Sequence, residues 1–166
     1  MVTGAAVELT ASELRDLAGS VPDPELPVLT LAELGVVREV RVLGPGRAEV
    51  ELTPTYTGCP ALETMASDIR LVLGGRGWDA RVTTVLTPAW STDWISAEGR
   101  RKLQEFGIAP PGPVRSGGAV FVELTVRCPH CGSPDTRLLS RFSSTACKAL
   151  RSCNGCGEPF DHFKEL

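Results

Sequence analysis

The sequence lacks the features that mark a membrane or secreted protein. Its apolar runs are short and interrupted by charges, so no stretch approaches the roughly 20 apolar residues that a transmembrane helix needs. The N-terminus, MVTGAAVELTASELRDL, contains acidic residues and lacks the basic-then-apolar order of a secretory signal. We therefore expect a cytoplasmic protein that does not associate with a membrane, in which six cysteines do not form a disulfide framework.

Histidine and strong positive charge are also scarce. Only 2 histidines occur, and no nucleophile–histidine–acid set or glycine-rich phosphate loop accompanies them. The formal net charge is −3, which gives little attraction to the phosphates of nucleic acids. The sequence therefore predicts neither an enzyme that turns over a small molecule nor a nucleic-acid-binding protein.

A change of composition divides the chain. Residues 108–118, IAPPGPVRSGG, are rich in proline and glycine, which is typical of a linker. Residues 1–107 hold 10 Lys and Arg against 15 Asp and Glu, a charge of −5, whereas residues 119–166 hold 6 against 5, a charge of +1. We expect a first domain at 1–107, a linker at 108–118 and a second module at 119–166.

Local patterns in the first domain predict an α+β fold with a small sheet. Capping-box patterns at Thr10–Glu13 and Thr30–Glu33 each open a short helix. Hydrophobic periodicity and turn residues predict the remaining elements. In chain order these are two strands joined as a hairpin at 36–43 and 47–53, an amphipathic helix from Pro60 to Leu73, a strand at 81–86 and a helix at 96–106.

The strongest chemical signal is a pair of CxxC knuckles, Cys128-Pro-His-Cys131 and Cys153-Asn-Gly-Cys156, separated by 21 residues. Each two-residue gap lets both thiolates turn toward one ion, so the two knuckles complete a tetrahedral four-sulfur shell. Zinc is the favoured ion, and iron or an iron–sulfur cluster is the alternative because thiolates ligate both. We expect a small β-rich, zinc-ribbon-like module, with a hairpin at 136–142, whose stability depends on the metal.

Three other residues lie near the knuckles, namely Cys147, His130 and His162. Cys147 lies six residues before Cys153 and is either a small buried side chain or an extra ligand. His130 and His162 are expected at the surface or in support of the site, because four thiolates already close the shell.

Cys59 differs from the other cysteines because it stands alone, in Thr53-Pro-Thr-Tyr-Thr-Gly-Cys59-Pro60. Pro60 suits the first position of a helix, so Cys59 is expected at the N-cap, where unpaired amides and the helix dipole lower the pKa of a thiol. The alternative is a cap residue with a buried thiol. One cysteine cannot hold a metal or cluster unaided, and would need a second copy across a homodimer or ligands from a client.

A second unusual segment is Val21-Pro-Asp23-Pro24-Glu25-Leu-Pro27, in which three prolines favour an extended backbone. Asp23 and Glu25 would then project to opposite sides of it. One interpretation is a turn whose carboxylates are solvated or cap backbone amides. The other is a rigid edge beside Cys59 that helps to position a metal or a partner.

These motifs, Asp23-Pro24-Glu25-Leu-Pro27, Leu34-Gly35-Val36 and Thr57-Gly58-Cys59-Pro60, resemble the MIP18-type domain, also called DUF59. The resemblance implies a small domain with a mixed sheet and flanking helices, associated with iron–sulfur protein assembly. Further segments resemble the PaaD (PaaJ) family of accessory subunits encoded with the bacterial phenylacetyl-CoA 1,2-epoxidase of phenylacetate degradation. They are Trp90-Ser-Thr-Asp-Trp94, Gly99-Arg-Arg101, Ile108-Ala-Pro-Pro111 and the tail from Thr145 to Lys164.

The resemblance implies an accessory, non-catalytic protein that helps to install or maintain an iron–sulfur or di-iron centre. The epoxidase of that family has a di-iron oxygenase subunit and a reductase with an iron–sulfur cluster, and these are the implied partners. Cys59 corresponds to the reactive cysteine of the related assembly factors, and would bind iron or an iron–sulfur species transiently, with Asp23 and Glu25 nearby. The alternative is a structural or docking subunit of the oxygenase with an inert zinc site.

Trp90 and Trp94 lie four residues apart in a loop rich in proline, serine and threonine. One interpretation is that the indoles cover the core. The other is an exposed docking patch for the oxygenase or reductase, because tryptophan is enriched in interface hot spots.

Overall fold

The structure, a computed structural model, describes residues 8–113 and 125–166. These fall into two compact units, Met1–Trp90 and Ser91–Leu166. The division therefore comes earlier than the predicted domain boundary at residue 107. The reason is that residues on both sides of 107 pair within the second unit: the Thr92 amide donates to the Leu166 carbonyl at 3.1 Å, and Ile108–Ala109 of the predicted linker form a strand that pairs with residues 161–162. Residues 114–118 of that linker and the expected start of the second module at 119 lie outside the described residues.

The part of the first unit that the structure describes, residues 8–90, contains three helices and three strands. Both predicted capping boxes are present, because the side chains of Thr10 and Thr30 accept hydrogen bonds from the amides of Glu13 and Glu33, whose carboxylates bind back to the cap amides. The elements in chain order are α1 (Ala11–Gly19), α2 (Leu31–Leu34), β1 (Val37–Gly44), β2 (Arg47–Leu52), α3 (Leu62–Gly74) and β3 (Asp79–Thr84).

The sheet of the first unit has the order β1-β2-β3 and is mixed. β1 and β2 form the predicted antiparallel hairpin. β2 and β3 are parallel, which requires a crossover connection, and α3 provides it. The core consists mainly of aliphatic side chains with almost no solvent exposure, among them Leu14, Leu29, Leu31, Leu34, Val50, Leu52, Ile69 and Leu73.

The described residues of the second unit, 91–113 and 125–166, combine one α-helix with a small sheet. Its elements are a 3-10 turn at Thr92–Trp94, α4 (Ala97–Glu105), β4 (Ile108–Ala109), β5 (Thr136–Ser140), β6 (Lys148–Cys153) and β7 (Pro159–Phe163). The strand order is β4-β7-β6-β5; β4 is parallel to β7, and the other neighbours are antiparallel. A hairpin does lie between the two knuckles, but its predicted bounds of 136–142 are too short: residues 136–140 are one strand, β5, and its antiparallel partner is β6.

The α+β class and the β-rich character of the second unit are confirmed. In the described part of the chain, no helix is both long enough and apolar enough to span a bilayer.

Candidate metal centre

The two knuckles have the same backbone structure. In the first, the amide of Cys128 donates to the carbonyl of Ser133 at 2.9 Å, and the amide of Gly132 donates back to the carbonyl of Cys128 at 2.9 Å. In the second, the amide of Cys153 donates to the carbonyl of Glu158, and the amide of Gly157 donates to the carbonyl of Cys153, both at 2.9 Å. The bonded residues are separated by the same number of positions as in the first knuckle. Gly132 and Gly157 have φ of 75° and 82°, a left-handed conformation that glycine adopts without strain, so the glycine after each CxxC is needed for this turn.

The four knuckle thiols meet at one point. The Sγ atoms of Cys128 and Cys156 lie 3.8 Å apart, those of Cys131 and Cys153 lie 3.5 Å apart, and all four lie within 4.8 Å of one another. A tetrahedral ion with metal–sulfur bonds of ~2.3 Å separates its ligands by ~3.8 Å, so these distances fit one ion. Across residues 8–113 and 125–166, no other group of His, Cys, Asp or Glu could hold a metal in this way.

The local backbone stabilises a thiolate in the second knuckle. The pKa of Cys153 is lowered to about 6, first because the amide of Cys156 donates a hydrogen bond to its Sγ at 3.4 Å. The pKa of Cys156 is raised to about 12: the amide of Glu158 favours its thiolate, but desolvation and the neighbouring thiols outweigh that effect. Four thiols this close cannot all ionise in the absence of a cation, which is the electrostatic reason why the cluster suits a metal ion.

The other candidates in this unit lie outside the four-thiol cluster. Cys147 is buried, and its Sγ lies 3.1 Å from the Thr145 hydroxyl. His130 is exposed in the first knuckle, and His162 is buried in β7, with its Nε2 3.6 Å from a carboxylate oxygen of Glu165. The structure thus gives Cys147 the position of a small buried side chain rather than a fifth ligand.

Cys59 is not at the N-cap of a helix, and that part of its prediction is wrong. Helix α3 begins at Leu62 with Ala61 as its N-cap, and Cys59 to Leu62 form a preceding turn closed by a hydrogen bond of 3.3 Å from the Leu62 amide to the Cys59 carbonyl. A proline is as compatible with such a turn as with the first helical position, which is why the helix was expected to begin at Pro60 rather than at Leu62. The thiol is buried, with 8% of the residue exposed.

The acidic segment before α2 is organised by Asp23. Its buried carboxylate accepts hydrogen bonds from the amides of Glu25 at 2.9 Å and Leu26 at 2.7 Å. Burial raises the pKa of Asp23, while these two bonds oppose the rise. The geometry matches the interpretation of a carboxylate that caps a turn. Glu25 is only half-buried, and the three residues Asp23, Glu25 and Cys59 do not form a ligand cluster in the described structure.

The two tryptophans of the predicted docking patch have different environments. Trp90 is 5% exposed, and its indole Nε1 donates to the carbonyl of Leu34 at 3.0 Å, so it belongs to the core of the first unit. Trp94 is half-buried in the 3-10 turn of the second unit. Trp90 therefore presents no exposed indole to a partner, and docking stays a prediction for Trp94 alone.

The sequence analysis did not single out Thr53, which borders a cavity of about 80 Å³ together with Thr55, Tyr56, Thr57 and Trp90. The Thr53 hydroxyl is buried and makes no hydrogen bond to the described residues. The density of hydroxyl side chains in the loop before Cys59 is the sequence signal that could have pointed to it.

The chain resembles known families along most of its length. Residues 12–87 match the pattern of a family described as "Iron-sulfur cluster assembly protein", and residues 114–164 match that of the "PaaD zinc beta ribbon domain". The chain is 46% identical over 155 residues to an Escherichia coli (strain K12) protein named as a putative subunit of the 1,2-phenylacetyl-CoA epoxidase, with 92% of this chain and 91% of the relative covered.

Two further relatives match a shorter stretch. A Porphyromonas gingivalis protein named "Fe-S protein maturation auxiliary factor" is 30% identical over 98 residues, which is 57% of this chain and 90% of the relative. The crystal structure of a DUF59 domain from Bacillus anthracis is similar at 28% identity and a TM-score of 0.52, covering 56% of this chain and 90% of that chain. The DUF59-like fold is thereby confirmed.

Proposed function

The chain belongs to the PaaD family, and from this we propose that it is a cytoplasmic, non-catalytic accessory subunit of a 1,2-phenylacetyl-CoA epoxidase, which helps to assemble or maintain an iron–sulfur or di-iron centre of that complex. The observation that carries the proposal is the joining, in one chain, of a domain related to iron–sulfur assembly proteins to a preformed cluster of four thiols. Thiolates are ligands that zinc and iron–sulfur species favour, and the four thiols meet at one point of the described structure.

We propose zinc as the resident ion of the four-thiol cluster, held by Cys128, Cys131, Cys153 and Cys156. The thiol spacing supports a single tetrahedral ion, because an iron–sulfur cluster divides its thiolates among different irons and so holds them farther apart. Zinc has no redox chemistry and would stabilise the fold of the second unit. A single iron would fit the same distances, so metal analysis and the colour of protein purified without oxygen distinguish the two.

We propose Cys59 as the residue that contacts iron or an iron–sulfur species in transit. It lies in the part of the chain that matches the iron–sulfur assembly family, in the loop between β2 and α3. Because its thiol is buried, the loop has to open, or a client has to approach closely, before Cys59 can act. Asp23 would hold the neighbouring turn through the two hydrogen bonds that its carboxylate accepts from backbone amides. Glu25 is the more exposed of the two carboxylates and is therefore the better placed to bind a cation.

The proposed partners are the oxygenase and reductase subunits of the epoxidase, with Trp94 as a contact residue. Cys59 is the single cysteine of the first unit, so it would need ligands from such a client or from a second copy in a homodimer.

The test is to replace Cys59 and to follow the metal of the client. The epoxidase subunits are co-expressed with wild-type chain, with Cys59→Ser or with Cys147→Ser, and iron per complex is measured together with epoxidation. We expect Cys59→Ser to lower the iron content severalfold. Cys147→Ser is the matched control because Cys147 is also a buried cysteine outside the four-thiol cluster, and it should leave the iron content unchanged.

A fully metallated client with Cys59→Ser would contradict delivery through this residue. That result would favour the alternative of a structural or docking subunit with an inert zinc site, for which the burial of Cys59 and the turn-capping role of Asp23 are the supporting observations. Deletion of the whole chain then separates the two functions. A docking subunit is needed for a stable complex of the epoxidase subunits even when those subunits carry their full iron content.

A further inference from the structure

The four thiols of the metal centre differ in their access to solvent. Cys128 and Cys153, the first cysteine of each knuckle, are 0% and 1% exposed. Cys131 and Cys156, the second cysteine of each knuckle, are exposed. The cluster therefore has a closed side and an open edge.

The closed side is part of the hydrophobic core of the second unit. Cys128 and Cys153 are buried together with Ala109, Val126 and Phe160. Ser133 lies against Gly155 beside the Cys153 sulfur: a Cβ atom built on Gly155 would come within 3.1 Å of the Ser133 side chain and 3.5 Å of the Cys153 Sγ. Solvent therefore reaches the cluster at Cys131 and Cys156 and hardly at Cys128 and Cys153.

We propose that the metal ion enters and leaves the cluster through the open edge formed by Cys131 and Cys156, while Cys128 and Cys153 retain it. The site is then an exchangeable metal donor, able to pass its ion to a thiol-containing metal site of another protein. That the ion is zinc rests on the proposed function, so the recipient is a thiol-containing zinc site of another protein and not an iron centre of the epoxidase; the route of exchange rests on the exposure of the thiols.

The exchange is a ligand substitution without electron transfer. A thiol of the recipient forms a bond to the ion as Cys131 or Cys156 releases its own bond, and the proton of the incoming thiol passes to the departing cysteine. The charge of the ion is unchanged throughout.

The test follows thiol reactivity and metal release in the full metal-loaded chain. The protein is treated with limiting N-ethylmaleimide, the labelled cysteines are identified by mass spectrometry, and released metal is followed with 4-(2-pyridylazo)resorcinol. Because thiol reactivity follows exposure, we expect Cys131 and Cys156 to be labelled at least about tenfold faster than Cys128 and Cys153, with metal released in step with the first label. Cys59 and Cys147 serve as buried controls whose labelling releases no metal.

Two variants test transfer itself. Cys131→Ser should still bind the ion and should lose it several times faster than the wild type to a metal-free four-cysteine zinc-finger peptide, whereas Cys128→Ser should fail to retain metal. Equal labelling of all four cysteines, or earlier labelling of the buried pair, would overturn the inference. If any of these occurs while the iron content of the epoxidase still depends on the chain, the proposed function stands and only the exchange route fails.

Discussion

Each of the two compact units is stabilised internally in a different way. Of the twelve largest fully buried side chains in the described residues, ten belong to the first unit, and only Leu103 and Phe163 belong to the second. The second unit instead contains four thiols within 4.8 Å of one another. Small domains bury too little apolar surface for independent stability, and ligand bonds to a metal compensate for this deficit.

This difference means that the two units should respond to different perturbations. The first depends on the volume and fit of aliphatic side chains, which chelators do not affect. The second depends on thiolate ligands, whose bonds to a metal are lost when the thiol is protonated, replaced or deprived of its ion. A substitution in the aliphatic core of the first unit, compared with one at a thiolate ligand of the second, can separate these two sources of stability.

The largest expected effect is the loss of the second unit when its metal is removed. Structural zinc contributes on the order of 10–16 kcal/mol apparent in small finger peptides, so chelation or Cys153→Ser should unfold this unit and leave the first folded. Hydrogen exchange followed by mass spectrometry measures both units in one experiment. Loss of protection in β6 and β7 with retained protection in α3 is the expected pattern, and a fully protected second unit after metal removal would contradict it.

The next effect is the reverse case, in which the first unit is weakened and the metal stays. Leu73 on α3 is fully buried, so Leu73→Ala should cost about 2–5 kcal/mol through lost transfer energy and a cavity. Leu71 on the same helix is 74% exposed, and Leu71→Ala should stay within about 0.5 kcal/mol. Urea unfolding of the first unit and zinc content measure the two quantities. An equal cost for both substitutions, or zinc loss with Leu73→Ala, would contradict the comparison.

A smaller effect is expected when the core indole of the first unit loses its hydrogen bond. Trp90→Phe keeps an aromatic ring but leaves the buried carbonyl of Leu34 without the Nε1 donor, which should cost about 1–3 kcal/mol. Trp94→Phe, in the half-buried indole of the second unit, is the comparison. We expect it to leave the urea midpoint of the first unit unchanged. If Trp90→Phe were neutral for stability but weakened binding to the epoxidase, Trp90 would belong to a docking surface after all.

The smallest effect concerns Glu165 in the second unit. The pKa of its carboxyl is lowered to about 2, first by its interaction with His162, and it accepts a hydrogen bond of 2.8 Å from the Gly112 amide. A carboxyl whose folded pKa lies below its unfolded value of about 4.3 stabilises the fold above that pH, and this contribution is lost as the pH falls toward 2. Because the group is partly solvated, we expect Glu165→Gln to cost about 1 kcal/mol.

Exchange of the Gly112 amide measures this contribution locally. The difference between the wild type and Glu165→Gln should shrink as the pH falls below about 5. A difference that grew as the pH fell would have the wrong sign for a carboxyl with a lowered pKa.

Features encoded within a few residues were predictable from the sequence. The capping boxes at Thr10 and Thr30 place both cap partners within one helical turn, and the CxxCG spacing brings two thiols and a left-handed glycine into one turn of backbone. The start of α3 was misplaced because Pro60 suits a turn as well as a helix, and only the hydrogen bond from Leu62 to Cys59 distinguishes them. The pairing of Ile108 and Ala109 with β7 was missed because a strand of two residues has no periodicity to detect.

The sequence by itself determined the α+β class, the paired knuckles and their capacity for one ion, because these follow from residue type and short-range spacing. Only the tertiary structure decided that the second unit begins at Ser91, that Trp90 is a core residue and that Cys131 and Cys156 form the open edge of the cluster. Burial depends on which distant segments pack against a side chain, and Cys128 and Cys153 are buried together with Ala109, Val126 and Phe160, which lie far from one another in the sequence.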